Sequence, residues 1–257
     1  MVKAILYDKD GTLMQFDAFW IPVATHALRE IFFRAVPQPE IAEKLTAETA
    51  ASAGVEGDRV KPNSVLCAGT YGQLAEILTG VLARAGYPVK ITQEEVERAM
   101  QAAIPYGKVL PGCGNLREKL LAAKAAAPLF VVTTDTREMT VHCLDALGIA
   151  DLFDGIFCDD GVTPHKPDPA AAVAIARRTG ATAAEMYMVG DTGTDSSFAR
   201  QAGMHFVSVG ECEAVRAAAE YAARDVGGAT DYILSCGKKA GGAASFSKNR
   251  RAAFEES

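Results

Sequence analysis

The chain has 257 residues, 49% of them hydrophobic and 23% charged, with a net charge of −6. That length suffices for a full core, as one large domain or two smaller ones. The acidic balance gives no electrostatic basis for nucleic acid or an anionic membrane as partner, so an anionic ligand would have to be held by local cations or a metal. The six cysteines, Cys67, Cys113, Cys143, Cys158, Cys212 and Cys236, show no C-x-x-C spacing. They read as small buried hydrophobes in a reducing compartment. No apolar run approaches membrane-spanning length, and no signal-peptide pattern precedes the first apolar segment, so a cytoplasmic location is expected. The sequence carries no signal for oligomeric state.

In chain order, Ala4 to Leu13 reads as a short apolar strand that delivers Asp8 and Asp10 into a turn at Gly11. From Asp17 the period becomes helical, with Val23, Ala24, Ala27, Leu28, Ile31, Phe32 and Ala35 on one face. Pro22 fits such a helix only in its first turn. A second helix is expected from Glu40 to about Ala53, followed by a loop from Gly54 to Ala68. Thr70 to Gln73 and Thr92 to Glu95 are capping boxes that open two more helices. Residues 17–104 thus read as helices without a strand, enough for a small helical bundle.

Beyond the Pro105, Gly107, Pro111 and Gly112 linker, a helix is expected from about Asn115 through Ala125. Strands are then expected at Leu129–Thr133, Ile156–Cys158, Met186–Val189, His205–Val209 and Tyr232–Leu234, alternating with helices. Asp135 and Glu138 are the expected caps of the helix after Thr133, and Asp168 with Pro169 opens the helix that stops at Gly180. This alternation predicts an α/β fold, a Rossmann-like doubly wound parallel sheet with right-handed crossovers. The expected organisation is an α/β core from 1–16 plus 105–240, an inserted α-helical cap over 17–104, and a flexible tail over 241–257. Met14–Asp17 and Pro105–Lys108 would be hinges, and an insertion at that point could serve as a lid over the sheet crevice.

Four elements carry residues with chemistry. Asp8 and Asp10 lie at the end of a buried strand, where an acid costs several kcal/mol unless paired, roughly speaking; alone they could equally start a turn. Thr133, with Thr134, ends a strand just before a helix, where N–H groups and a hydroxyl suit an anion; alone they could simply cap that helix. Lys166, in His165-Lys166-Pro167-Asp168-Pro169, has the form of a phosphate-binding point charge; alone it could be a solvated loop residue. Val189-Gly190-Asp191-Thr192-Gly193-Thr194-Asp195 delivers Asp191 to another glycine turn, with Asp195 four residues on. Asp8 and Asp191 suit Mg²⁺, which takes few carboxylates, several waters and a phosphate oxygen. All four lie at expected strand carboxyl ends, where open α/β sheets bind ligands, and together they read as one active site.

On these motifs the chain resembles the haloacid dehalogenase-superfamily hydrolases with a helical cap inserted after the first motif. Tyr7-Asp8-Lys9-Asp10-Gly11-Thr12 is similar to the family's first motif, Thr133 to its second, Lys166 to its third, and Gly190-Asp191-Thr192-Gly193-Thr194-Asp195 to its fourth. The resemblance covers nearly all of the chain except its tail and is strongest in the core motifs. It implies a two-step phosphoryl transfer in which Asp8 is the nucleophile and Asp10 the acid, then the base. It also implies Mg²⁺ on Asp8, the Asp10 carbonyl and Asp191, with Asp195 direct or through water, and phosphate oxygens on Thr133, the Thr134 N–H and Lys166. Thr134 stands where the family usually has Asn.

An aspartate at position 10 distinguishes phosphate-ester relatives from dehalogenases, phosphonate-cleaving enzymes and ion pumps. The resemblance therefore implies a phosphatase acting on a small phosphorylated metabolite. Lys61-Pro62 through Gly69-Thr70-Tyr71-Gly72 looks like the cap of the phosphoglycolate phosphatase group, with Arg59, Lys61, Thr70 and Tyr71 as possible contacts to the rest of the substrate. Phe19 and Trp20 read as cap or hinge packing. The alternative is a sugar phosphomutase of the β-phosphoglucomutase type, which uses the same motifs but protects its phosphoenzyme from water. A non-catalytic phosphate-binding protein on this scaffold would be expected to lack Asp8 or Asp10, and both are present.

Overall fold

The computed structural model describes residues 1–62 and 64–237; the expected tail over 241–257 lies outside them. The chain forms two compact units, one from Met1–Gln15 with the residues from Pro111 onward and one from Phe16–Leu110. The first strand, β1 (Ala4–Tyr7), belongs to the former.

The inserted unit opens with helix α1 (Phe16–Ala35), followed by α2 (Pro39–Ser52), a hairpin of β2 (Val55–Glu56) and β3 (Arg59–Val60), α3 (Val65–Ala68), α4 (Tyr71–Arg84) and α5 (Gln93–Ala103). Two expectations are corrected here. The stretch read as a loop from Gly54 contains this hairpin and a one-turn helix. Pro22 lies inside α1, past its first turn. The Ala18 carbonyl, which residue 22 would normally reach, accepts instead from the Lys108 N–H at 3.2 Å. The break in the helix ladder thus leaves no orphaned acceptor, and residues 105–110 go with the insertion. Asp17, rather than capping α1, accepts from the Val60 N–H at 3.0 Å and ties the hairpin to the helix. Both capping boxes form, at Thr70 with Gln73 and Thr92 with Glu95. Phe19, Val23, Ala27, Leu28, Ile31 and Phe32 form the buried stripe of α1.

The other unit continues through α6 (Leu116–Lys124), β4 (Leu129–Thr136), α7 (Arg137–Ala146), β5 (Gly155–Asp159), α8 (Ala170–Thr179), β6 (Met186–Gly190), α9 (Gly193–Ala202), β7 (His205–Ser208), α10 (Glu213–Ala217) and β8 (Tyr221–Ala222). The strands form one parallel sheet in the order β5-β4-β1-β6-β7-β8. Alternate residues face opposite layers, as a pleated strand requires. Ile5, Tyr7, Leu129, Val131 and Val189 join Leu120 of α6 and Leu144 of α7 on one side. Ala4, Leu6, Phe130, Val132 and Met188 join Ile175 of α8 and Phe198 of α9 on the other. A sheet covered on both faces explains the almost continuously apolar strands.

The expected last strand at Tyr232–Leu234 is instead part of a helix over 226–237. Val226, Ala229 and Ile233 fall at helical spacing and all three are buried against the sheet. Thr230, on the same helix and fully buried, meets the Tyr7 hydroxyl at 3.1 Å and fixes the helix to β1. The short apolar triplet at 232–234 is outweighed by that longer stripe. Replacing Ile233 with Ala should cost about 2–5 kcal/mol in urea denaturation, whereas a loss below 1 kcal/mol, roughly the surface value, would refute this packing.

Candidate active site

Parallel pairing decides which motifs meet. Tyr7 pairs with Val131 of β4 on one side and Val189 of β6 on the other. The residues just beyond, Asp8, Thr133 and Asp191, therefore emerge at the same edge of the sheet. β1 is the point from which strand order runs outward in both directions, where open α/β sheets form their crevice.

Lys166 comes to this edge from the loop before α8. It is 5% exposed, and its Nζ lies 2.6 Å from Asp8 Oδ1 and 2.6 Å from Asp195 Oδ1. It is therefore no solvated loop lysine. Asp195 is fully buried, and its Oδ2 accepts from the Thr192 N–H at 3.0 Å and the Thr192 hydroxyl at 2.6 Å. The same pair forms the capping box that opens α9, so helix initiation and lysine placement share one side chain. Asp191 accepts from the Thr12 hydroxyl at 3.3 Å. Thr12 is 1% exposed; the sequence places it in the first motif without a role of its own, since its partner Asp191 is remote along the chain.

Two glycines allow the close approach of these acids. Gly11 has φ +77°, and a Cβ there would come within 2.1 Å of Asp191 Oδ2. A Cβ on Gly190 would meet Asp195 Cγ at 2.4 Å.

Asp8, Asp191 and Asp195 can each offer an oxygen, with all three within 4.8 Å of one another. Among the described residues, Lys166 is the counter-charge that pairs with them, at Asp8 and Asp195. Burial pushes the Asp8 carboxyl up to about 7 despite Lys166. Burial, joined by the charges of Asp8 and Asp195, raises Asp191 well above the usual carboxylate range. Burial opposes the charge of Lys166, but Asp195 and Asp8 outweigh it and hold the amine above its ordinary value. Such a hard, oxygen-only and over-acidic set fits a divalent cation such as Mg²⁺.

A second buried lysine stands beside this cluster. Lys9, fully buried between the two aspartates of its motif, lies 2.7 Å from Asp10 Oδ2 and 3.1 Å from Asp135 Oδ2. In the sequence Lys9 carries no role of its own and Asp135 is an expected helix cap. The actual cap of α7 is Thr136, whose side chain accepts from the Met139 N–H. The available signal was a lysine inside an otherwise buried segment, which requires a carboxylate partner.

Thr133 is 4% exposed and Thr134 is exposed. β4 runs on to Thr136, so Thr133 does not directly precede a helix as expected. Its hydroxyl accepts from the Asp135 N–H at 3.2 Å. Among the cap residues considered as substrate contacts, Lys61 pairs with Glu56 at 2.7 Å and Thr70 serves its capping box. Phe19 is fully buried in the inserted unit and meets Trp20 edge-on.

Two outcomes follow. Gly11→Ala should displace Asp191 and cost more than about 1 kcal/mol, since its φ is also unsuited to alanine; calorimetric Mg²⁺ titration should show binding weakened at least tenfold, and unchanged binding would contradict the geometry. The raised Asp8 carboxyl favours the folded state below its ordinary value and loses that contribution as pH rises through about 7. A cation competes with that proton, so Mg²⁺ should raise the melting temperature clearly at pH 8 and little at pH 5. Equal shifts at both would refute the coupling.

Among the described residues no helix is long and apolar enough to cross a membrane. The chain is 33% identical over 87 residues to a phosphoglycolate phosphatase of Pectobacterium atrosepticum, a match spanning 34% of this chain and 37% of that protein. Three solved structures are similar in fold. A candidate β-phosphoglucomutase of Thermotoga maritima has TM-score 0.61 and 16% identity, covering 91% of this chain and 99% of its own. A predicted phosphoglycolate phosphatase of Haemophilus somnus has TM-score 0.61 and 20% identity, covering 88% and 95%. A haloacid dehalogenase-type hydrolase of Bacillus subtilis, solved bound to magnesium, has TM-score 0.60 and 16% identity, covering 88% and 95%. The haloacid dehalogenase-like hydrolase family matches residues 2–203, and with the α/β sheet and helical insertion already described, the chain belongs to that family of hydrolases.

Proposed function

We propose that the protein is a Mg²⁺-dependent phosphatase that hydrolyses a small phosphorylated metabolite through an aspartyl-phosphate on Asp8. The observation that carries this reading is Lys166, buried against Asp8 and Asp195 at the carboxyl edge of the sheet. A cation in direct contact with Asp8 is what a carboxylate nucleophile needs before a dianionic phosphate can approach it.

An Asp8 oxygen attacks phosphorus and the ester bond to the alcohol breaks; Asp10 supplies the proton to the departing oxygen. Asp10, now a carboxylate, takes a proton from water, which attacks the aspartyl-phosphate and releases inorganic phosphate and free Asp8. Lys166, the Thr133 hydroxyl and the Thr134 N–H hold the non-bridging oxygens. To do so, the Thr133 hydroxyl keeps accepting from Asp135 while its own proton turns to phosphate. Asp8, Asp191 and the Asp10 carbonyl would hold Mg²⁺, with Asp195 contributing through water, since both of its oxygens already accept hydrogen bonds. When bound, the ion supplies positive charge that offsets repulsion between nucleophile and phosphate.

The preferred substrate class is a phosphoglycolate-like or sugar phosphate. The partial match to a phosphoglycolate phosphatase supports the first of these. The six free cysteines suit a cytoplasmic setting.

Phosphate release from a panel of small monoesters, including 2-phosphoglycolate and hexose phosphates, should require Mg²⁺ and stop with EDTA. Asp8→Asn should lose at least 10³-fold in kcat and form no phosphoenzyme, by the usual size of nucleophile deletions, roughly. Near wild-type turnover in Asp8→Asn would sink the mechanism. A long-lived phosphorylated Asp8 with little release and a requirement for a bisphosphate activator would identify a phosphomutase instead.

A further inference from the structure

We propose that Lys9 is a positioning residue for Asp10, holding it in place through a buried three-membered charge cluster anchored on Asp135. The proposal rests on the reading of Asp10 as the acid and base of the reaction.

Lys9 is fully buried, and its Nζ contacts Asp10 Oδ2 at 2.7 Å and Asp135 Oδ2 at 3.1 Å. Its other close neighbours are Met14 Sδ at 3.8 Å and Cys143 Sγ at 4.0 Å, soft sulfurs that accept hydrogen bonds weakly. The ammonium is thus directed at two carboxylates. An apolar side chain in such a position commonly serves stability as well as a buried ion pair does, so stability alone gives a weak account of the lysine.

Asp135 is held at two points. Its Oδ1 accepts from the Thr136 N–H at 2.8 Å, and its own N–H donates to Thr133 Oγ1 at 3.2 Å. Asp10 sits in the turn after β1, and its carboxylate is 19% exposed where that of Asp135 is 17% exposed. Lys9 therefore bridges an anchor on β4 to the reacting acid in the turn after β1. The bridge also links Asp10 to Thr133, the hydroxyl assigned to phosphate. A misplacement of about 1 Å in a reacting group can cost about 100-fold in rate, which sets the scale of what the bridge protects.

The test separates proton transfer to the leaving group from the rest of the chemistry. The full chain, Lys9→Met and Asp135→Asn are compared in single-turnover phosphorylation of Asp8 with Mg²⁺. One substrate is an alkyl phosphate, whose alkoxide needs a proton to depart, and the other is p-nitrophenyl phosphate, whose phenolate leaves without one. Lys9→Met should lower the phosphorylation rate on the alkyl ester at least tenfold, a part of the about 10²–10⁴-fold that a general acid contributes. It should change the rate on p-nitrophenyl phosphate, and substrate affinity on both, less than about threefold. Asp10→Asn should show the same split, and Asp135→Asn the same split with a smaller amplitude.

Equal losses on both substrates, or a loss confined to affinity, would overturn the proposal. If Lys9→Met fails to fold by circular dichroism, Asp135→Asn decides, since it leaves Lys9 paired with Asp10: a split supports the bridge and its absence refutes it. Wild-type protein that neither releases phosphate nor phosphorylates Asp8 would overturn the phosphatase reading itself, and the bridge with it. An active wild type with no split in any Lys9 or Asp135 variant would overturn the bridge alone.

Discussion

The structure depends on Lys166 lying buried between two carboxylates. A lysine 5% exposed carries a desolvation cost of several kcal/mol, and only paired charge offsets it. Asp8 and Asp195 each supply a 2.6 Å contact. Breaking such a pair from one side leaves the other charge stranded, at about 3–5 kcal/mol. The motif-bearing turns are therefore held to one another by electrostatics as well as by the sheet. The lysine fixes the loop before α8 against the end of β1 and the start of α9, three elements far apart in sequence.

The same arrangement leaves the site over-acidic. Three carboxylates converge with one ammonium among them, and burial lifts Asp8 and Asp191 above their ordinary values. This local balance suits the divalent cation and phosphate of the proposed reaction, since each offsets charge the other leaves uncompensated. The overall charge of −6 plays little part, because buried charges act locally and distant surface charges are screened. The glycines at positions 11 and 190 are the steric side of this design: the acids come close because no Cβ intervenes.

Two lysines divide the work beside this edge. Lys166 holds Asp8 and Asp195, while Lys9 holds Asp10 and Asp135. The proposed nucleophile and proton donor, separated by one residue in sequence, are thereby tied to different anchors.

Much of this was legible in sequence. The apolar strands ending in Asp8 and Asp191, the capping boxes and the αL glycines Gly180 and Gly203 are local signals, set by period, turn chemistry and backbone freedom. Asp8 and Asp191 stand out because a carboxylate is unusual just past a buried apolar strand, whereas Asp10, Thr133, Lys166 and Asp195 gain meaning only as members of the set. Tertiary structure decided what local signals could not. It assigned 232–234 to a helix because Val226, Ala229 and Ile233 bury together against the sheet. It accommodated Pro22 inside α1 because Lys108, remote in sequence, satisfies the Ala18 carbonyl. It made Lys9, a residue without a role in the sequence reading of the motif, an ion-pair centre because Asp135 arrives from β4. In each case the deciding partner is distant along the chain, and long-range pairing of that kind is fixed by packing and by the cost of an unpaired buried group, neither of which a local pattern contains.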